Sequence, residues 1–373
     1  MKLSINQTEL SNALSIVAKG ASTRSIFPIL SGVLMKAYEN TLTLETTNGN
    51  SSIRCQVPAF IEEEGETVVP SKLFLDVVKS LPDSAVNLET GAEQIVILCN
   101  SSSFSIRTLM AEDFPNFPDV SPETSVTLPF EMFSEMAKRV SKVVSKDESR
   151  AILTGVLVEV EDDLFRMVAT DSYRLAFTET RLVEAGGNFS AVVAGSFLSS
   201  VASLGTKEQN VDFEVAENQI IIRCGSTTFV NSRIEGTFPR YAQLLPDEHS
   251  SAVRYDVREL TAAVKRISLL NDKGNPVKFD VNTASQTTQL STSSQDVGTA
   301  NETITSTIEG DDVVIGFNPS YVLDGLNSVP SDDVVMELQS SVRPGILKTD
   351  SYYSAAEVGK ERFAYVIMPV RLS

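Results

Sequence analysis

The chain repeats itself. Residues 29–34 read ILSGVL and residues 152–157 read ILTGVL, 123 positions apart. Residues 94–104 read QIVILCNSSSF and residues 219–229 read QIIIRCGSTTF, 125 positions apart, with Gln, two Ile, Cys, Ser and Phe recurring in register. Matches this dense, in one order and at nearly one spacing, mark a duplicated unit. A third copy is fainter: residues 73–82 read LFLDVVKSLP and residues 321–330 read YVLDGLNSVP, sharing Leu-Asp, Ser and Pro. A repeat of this length exceeds a solenoid turn and suffices to bury a core of its own. The 373 residues therefore read as three tandem domains, 1–120, 125–247 and 251–373. Joints containing Pro115, Pro118 and Pro239 close the first two.

Each copy opens on the same helical pattern. Leu10, Ala13, Leu14 and Val17 correspond to Phe133, Met136, Ala137 and Val140, and to Leu260, Ala263, Val264 and Ile267. Each set falls at i, i+3, i+4, i+7, one apolar face of an amphipathic helix. A second helix is expected over about 71–81, 195–204 and 319–329, giving two per copy and six in the chain. Alternating runs such as Thr41-Leu42-Thr43-Leu44 and Val211-Asp212-Phe213-Glu214-Val215 predict half-buried strands.

A formal net charge of −18 sits badly with nucleic acid, which is ordinarily bound by setting Lys and Arg against phosphates. The helices escape that acidity. Segments 9–24, 71–81, 130–150 and 258–273 each carry more basic than acidic residues, so the negative charge is concentrated elsewhere. Glu135 and Arg139 form an ordinary i,i+4 helix pair. Lys138, Lys142 and Lys146 add a basic stripe at i+4 spacing opposite the apolar face.

Basic helices on one side and acidic sheets on the other suit a ring lined by helices, and geometry sets its size. Neighbouring helices sit about 10 Å apart. Six in a circle leave a bore of roughly 9 Å, and twelve leave roughly 28 Å. A nucleic-acid duplex about 20 Å across passes only the larger. Two chains are needed, and head-to-tail is the arrangement that closes.

Four motifs carry a specific likeness. The start, MKLSINQTELSNALSIVAKGASTRSIFPIL, holds Arg24 just before Pro28-Ile29-Leu30. Residues 169–176 read ATDSYRLA, residues 238–246 read FPRYAQLLP, and residues 365–372 read YVIMPVRL. In this order and over essentially the whole chain, they resemble the bacterial DNA sliding clamp, the beta subunit of the replicative DNA polymerase III holoenzyme. The resemblance implies an α+β fold of three tandem clamp domains, the DNA clamp fold. Two chains would close head-to-tail with helices inside and sheets outside. It implies a polymerase processivity factor that encircles duplex DNA without reading sequence. Its partners would be a second copy, the replicative polymerase, the clamp loader and other proteins bearing a clamp-binding motif. No cofactor, metal or membrane is implied, and the expected location is the cytoplasm.

The resemblance also implies sites. The last three motifs would form a hydrophobic cleft for a partner peptide anchored by Gln and by Leu or Phe. Its residues would be Leu153, Thr170, Ser172, Tyr173, Arg174, Leu175, Pro239, Gln243, Leu244, Val366, Ile367, Met368, Pro369, Val370 and Arg371. Arg174 and the backbone near Met368 would supply polar contacts, and Met would adapt to varied ligands. DNA would meet Arg24, Lys72, Lys142, Lys146 and Arg150, and the dimer would set Phe104 and Ile106 against Leu269 and Leu270. The chain departs from the family at Ser172, often Gly, at Gln243, often basic, and at Ile152, often a bulky aromatic. Acidic Asp147 and Glu148 precede Arg150, and Gly195-Ser196 lacks the usual basic residue, so DNA contacts are expected to be sparse.

Other functions find less support. No phosphate-binding glycine loop, HExxH or GxSxG motif is present, so no catalytic residue is assigned. His249, the one histidine, reads as a solvated linker residue; Glu62-Glu63-Glu64 and Asp311-Asp312 read as solvated loops. Three cysteines without CxxC point to neither disulfides nor zinc, and Cys99 and Cys224 read as core residues. A repeat-built scaffold that binds no nucleic acid is the alternative. The absence of a signal-like apolar start and the charge segregation count against it.

Overall fold

The computed structural model describes the whole chain except residues 23–25, 205–208, 246–247, 271–274, 295, 297 and 373. The described residues form six α-helices: α1 Gln7–Val17, α2 Ser71–Ser80, α3 Phe130–Val140, α4 Gly195–Ala202, α5 Val257–Ile267 and α6 Pro319–Leu326. Their strands gather into four antiparallel sheets. Two compact units result, Met1–Glu131 with Ser200–Arg233, and Met132–Ser199 with Ile234–Ser373.

In the first unit a five-stranded sheet runs, edge to edge, Phe60–Glu63, Lys2–Asn6, Ala85–Thr90, Gln94–Cys99, Ser102–Arg107. An eight-stranded sheet runs Thr124–Pro129, Asn210–Val215, Gln219–Cys224, Thr227–Ser232, Ser51–Pro58, Thr41–Thr47, Gly32–Tyr38, Gly65–Pro70. Asn6 caps α1, its side chain accepting from the amides of Thr8 and Glu9 and so satisfying donors that have no partner in the first turn. Leu10, Ala13, Leu14 and Val17 of α1 and Phe74 and Val78 of α2 are buried.

The second unit has a nine-stranded sheet in the order Phe189–Ala194, Gly155–Glu161, Leu164–Thr170, Arg174–Arg181, Arg362–Ile367, Gly345–Lys348, Asp333–Leu338, Ser251–Asp256, Thr307–Gly310. A four-stranded sheet runs Gly298–Thr305, Thr287–Ser294, Val277–Asn282, Val313–Phe317. Leu260, Ala263, Val264 and Ile267 of α5 are buried, as are Phe133, Met136, Ala137 and Val140 of α3. Helix α6 lies close over the sheet because Gly325 has no side chain: a Cβ there would stand 2.7 Å from the Tyr365 ring.

The units share the second repeat because sheets run through the joints between copies. Thr227–Ser232, from the second copy, pairs with Ser51–Pro58 of the first, with Phe229 opposite Ile53. Arg174–Arg181, also from the second copy, pairs with Arg362–Ile367 of the third, with Ala176 opposite Tyr365.

Two details differ from the sequence reading. Helix α3 stops at Val140, so Lys142 and Lys146 lie beyond it and the basic stripe is not one helical face. The Lys142 carbonyl, which a continuing helix would offer to residue 146, instead accepts from the Arg174 guanidinium at 3.3 Å. Glu62 and Glu63 belong to the edge strand Phe60–Glu63 rather than to a loop. His249 is exposed in the connecting segment, as the sequence suggests, with its Nδ1 3.3 Å from the Glu337 carboxylate.

Candidate partner-binding cleft

Within the second unit the strand Arg174–Arg181 organises the candidate site. Side chains alternate across a strand, so Leu175 and Phe177 share one face and Arg174 and Ala176 the other. On the first face the register sets Thr170 opposite Leu175, Leu175 opposite Val366, and Val366 opposite Ile346. This row belongs to a buried cluster with Leu157, Val168, Phe177, Val192 and Ala364. Ile152, Ile234, Phe238, Tyr241, Leu244, Leu245 and Tyr352 pack against it, half-buried.

The segment that supplies Phe238 to Leu245 is held by Tyr241. Its ring centroid lies 6.2 Å from that of Phe177, and its hydroxyl donates to Glu159 at 2.7 Å. Burial and the adjacent Glu159 carboxylate raise the Tyr241 hydroxyl above its ordinary pKa, so it stays a donor. Glu159 begins a cross-strand ladder: it faces Arg166, Arg166 faces Glu179, and Glu179 faces Arg362. Arg166 bonds Glu179, and Arg362 bonds the same carboxylate at 2.7 Å. Opposite charges in register compensate the burial of Glu179 and tie strands of the second and third repeats together.

The hairpin at residues 170–174 forms one end of the cleft. Thr170 Oγ1 donates to the Arg174 carbonyl at 2.7 Å, and Asp171 Oδ1 accepts from the amides of Tyr173 and Arg174. Ser172 sits at φ +80°, in the left-handed region that glycine adopts freely. The carbonyl of the exposed Tyr173 accepts from the Met368 amide at 2.9 Å, which fixes the C-terminal wall beside the hairpin.

Arg174 is already engaged within the unit. Only 9% exposed, it turns to the helical face, bonding Asp171 at 3.0 Å, the Tyr365 hydroxyl at 3.2 Å, and Asp324, with its guanidinium 4.6 Å from the Tyr321 ring centroid. Burial opposes its charge, but Tyr365, Asp324 and Asp171 outweigh that and its pKa is raised. Its Nε, Nη1 and Nη2 are each held by a partner within the unit, which lets it position the hairpin. Ile367 opposes Arg174 across the strands and is 1% exposed.

The remaining sequence candidates are dispersed. Leu175, at 1% exposure, forms floor, whereas Leu244, Met368, Pro369 and Val370 are half-buried and Pro239, Gln243 and Arg371 exposed. Leu153 is buried in the turn Glu148–Thr154, its carbonyl accepting from Ser145. Lys72, Lys142 and Lys146 are exposed; Arg150 is engaged by Asp147 and by Ser172 at 3.1 Å. Arg24 lies outside the described residues. Phe104 is 37% exposed on the edge strand Ser102–Arg107, but Ile106 is already buried in its own unit. Leu269 is 81% exposed and Leu270 half-buried. The sequence reading missed Ile346, Phe177 and Tyr352. Strand alternation from Leu175 would have found Phe177.

Comparison with known proteins agrees with this architecture. Models of the DNA polymerase III beta subunit match in chain order: its N-terminal domain over residues 1–118, its central domain over 127–240 and its C-terminal domain over 242–371. The beta sliding clamp of Streptomyces coelicolor is 31% identical over 380 residues, covering 100% of both chains, and that of Synechocystis 31% over 398 residues with the same coverage. Among solved structures, the sliding clamp of Bacillus subtilis superposes with a TM-score of 0.92 at 26% identity over 100% of both chains. A Pseudomonas aeruginosa clamp bound to griselimycin gives 0.91 at 25%, again over 100% of both. Three domain models in order, full-length relatives and the fold agree that the chain belongs to the bacterial beta sliding clamp family.

Proposed function

We propose that two copies of this chain close head-to-tail into a ring around duplex DNA, and that the ring serves as a processivity factor. It tethers the replicative polymerase, the clamp loader and other DNA enzymes, and performs no chemistry of its own. Its place is the cytoplasm, with the bacterial chromosome. One observation carries the reading. The strand Ser102–Arg107 ends the five-stranded sheet and Gly298–Thr305 ends the four-stranded sheet. Their repeat counterparts pair with each other at both internal joints. An open edge invites a strand, and a second copy offers the matching one.

DNA inside such a ring is held loosely. Lys72, Lys142 and Lys146, with Arg24, would face phosphates and steer the duplex without reading bases. Arg150, engaged beside Ser172, contributes less. Specificity then resides in the cleft, where each buried Leu or Phe anchor of a partner peptide gains roughly 1.5–3 kcal/mol against the cost of ordering it.

Retention on circular against linear DNA tests the ring. After loading, the protein should stay on closed circles and leave linear molecules through their ends; equal retention on both would rule out encirclement. Met368→Ala with Leu244→Ala tests the cleft, since both side chains are half-buried and their loss leaves the core intact. A Gln-Leu-Ser-Leu-Phe peptide should lose at least tenfold in affinity while dimer mass is unchanged.

A further inference from the structure

The chain carries 49 acidic against 31 basic residues, so an exposed cation without an acidic neighbour is unexpected. Most are paired, as Arg54 is with Glu45, Arg223 with Glu214 and Arg254 with Asp350. Among the described residues, those with neither an ion pair nor a side-chain hydrogen bond fall into three places. Lys72, Lys79, Lys138 and Lys265 lie on helices, and Lys142 and Lys146 in the segment that follows α3. Arg107 lies on the open edge strand. The third place is the cleft.

Arg240 follows Pro239 in the segment that covers the apolar row. Arg371 follows the Met368-Pro369 wall. Arg343 lies beyond the Ile346 end of the row, in a cavity of about 140 Å³ that it shares with Gln243, Leu244 and Ile346. All three are exposed. The anions around them are mostly spent: Asp171 and Asp324 on Arg174, Glu179 on Arg166 and Arg362, Glu337 on Lys348 at 2.7 Å. Glu248, which lines the Arg343 cavity, and Asp311 and Asp312, which share a second cavity with Ser341 and Leu372, stay outside these pairs, but none of them ion-pairs with the three guanidinium groups. Among the described residues none of the three guanidinium groups has an ion-pair partner, so the apolar row has a rim of positive charge.

We infer that Arg240, Arg343 and Arg371 select partner segments whose apolar anchors are flanked by acidic residues. The inference rests on the cleft being the partner site and adds the charge of what it takes. Arginine suits the task, because its planar fork meets a carboxylate through two parallel hydrogen bonds. On an acidic protein the rim also reverses a general repulsion that would otherwise slow the approach of an acidic peptide. The apolar floor of Leu175, Val366 and Ile346 fits Leu and Phe anchors better than stacked bases, so a peptide is favoured over single-stranded nucleic acid.

The test uses the full-length protein and three synthetic peptides sharing a Gln-Leu-Ser-Leu-Phe centre, flanked on both sides by Asp, by Ser or by Lys. Fluorescence anisotropy at low salt should rank Asp above Ser above Lys, with Asp favoured over Ser by about tenfold, three exposed pairs acting together. About 0.5 M salt should collapse the ranking. The variant Arg240→Gln, Arg343→Gln should bind the Ser-flanked peptide as the parent does and lose most of the preference for Asp. Equal affinity for all flanks, or a preference undiminished in the variant, overturns the inference while leaving the cleft standing. Failure of all three peptides to bind refutes the cleft itself. A single-stranded oligonucleotide that loses affinity in the variant, with no flank preference among peptides, would assign the rim to nucleic acid and overturn the inference.

Discussion

The amide of Val370 donates to the carbonyl of Gly316 across 2.8 Å, laying the C-terminal tail along the edge strand Val313–Phe317. Two residues earlier the Met368 amide has bonded Tyr173 at the end of the other sheet. The cleft wall at Met368-Pro369 is therefore suspended between two anchors. A Cβ on Gly316 would stand 2.7 Å from Leu372 Cδ2 and 2.8 Å from the Val370 carbonyl oxygen. Gly316→Ala should push the tail off its strand at a cost of about 1–3 kcal/mol, and weaken a cleft-bound peptide severalfold without changing dimer mass. Calorimetry with the Gln-Leu-Ser-Leu-Phe peptide checks this; unchanged affinity would mean the wall needs only the Tyr173 anchor.

Ser172 sits at φ +80°, a conformation that costs a residue with a Cβ about 1–2 kcal/mol. Ser172→Gly relieves that strain but gives up the bond from Arg150 and gains unfolded-state entropy. The net expected change is a stabilisation of about 0.5 kcal/mol, read as a higher urea midpoint. A lower midpoint would show that the Arg150 contact outweighs the strain.

The helices were legible because one apolar pattern recurs three times, and periodicity needs only local sequence. The cleft was legible only through its motifs, and only in part. Leu175 and Arg174 stand side by side in one motif, yet the strand sends them to opposite faces, and a motif does not state that phase. Ile346 meets Val366 across paired strands, and Val366 meets Leu175, so the floor depends on a sheet register that no local signal encodes. Lys142 looked helical because Lys138, Lys142 and Lys146 keep helical spacing. The helix stops at Val140, and the Lys142 carbonyl beyond it is taken by Arg174, 32 residues away, a contact no local signal encodes.

A third expectation concerns acidity. The Glu361 carboxylate is buried between Arg139 and Thr178. Burial raises its pKa above the ordinary 4.5, a shift that Arg139 and Thr178 only partly counter. The folded protein then holds this proton more tightly than the unfolded chain. The stability it contributes is full below 4.5 and is lost as pH rises through the raised folded value. Glu361→Gln keeps the shape and cannot titrate, so urea midpoints measured from about pH 4 to about pH 7 should decline less steeply in that variant. Parallel declines would place the effect on other groups.

The last expectation fixes the register of the ring. Ile53 and Ala176 are each the third residue of an eight-residue strand, and each lies opposite an aromatic residue at an internal joint, Phe229 and Tyr365. Ala300 is the third residue of the remaining eight-residue counterpart, Gly298–Thr305, and Phe104 is the repeat equivalent of Phe229. Carrying the register over sets Phe104 of one copy opposite Ala300 of the other. The Phe229–Ile53 pair lies between hydrogen-bonded neighbours, since Gln56 donates to Ser226 and Ser232 to Asn50, and such pairs bring side chains close enough for a disulfide. Phe104→Cys with Ala300→Cys should therefore oxidise to a covalently closed dimer, seen as doubled mass under denaturing, non-reducing conditions. The native cysteines Cys55, Cys99 and Cys224 are buried and should not compete. Phe104→Cys with Thr299→Cys serves as the control, because a shift of one residue turns the second thiol to the opposite face of the sheet. Cross-linking in the control but not in the first pair would mean that the joint between copies does not follow the register of the joints within the chain.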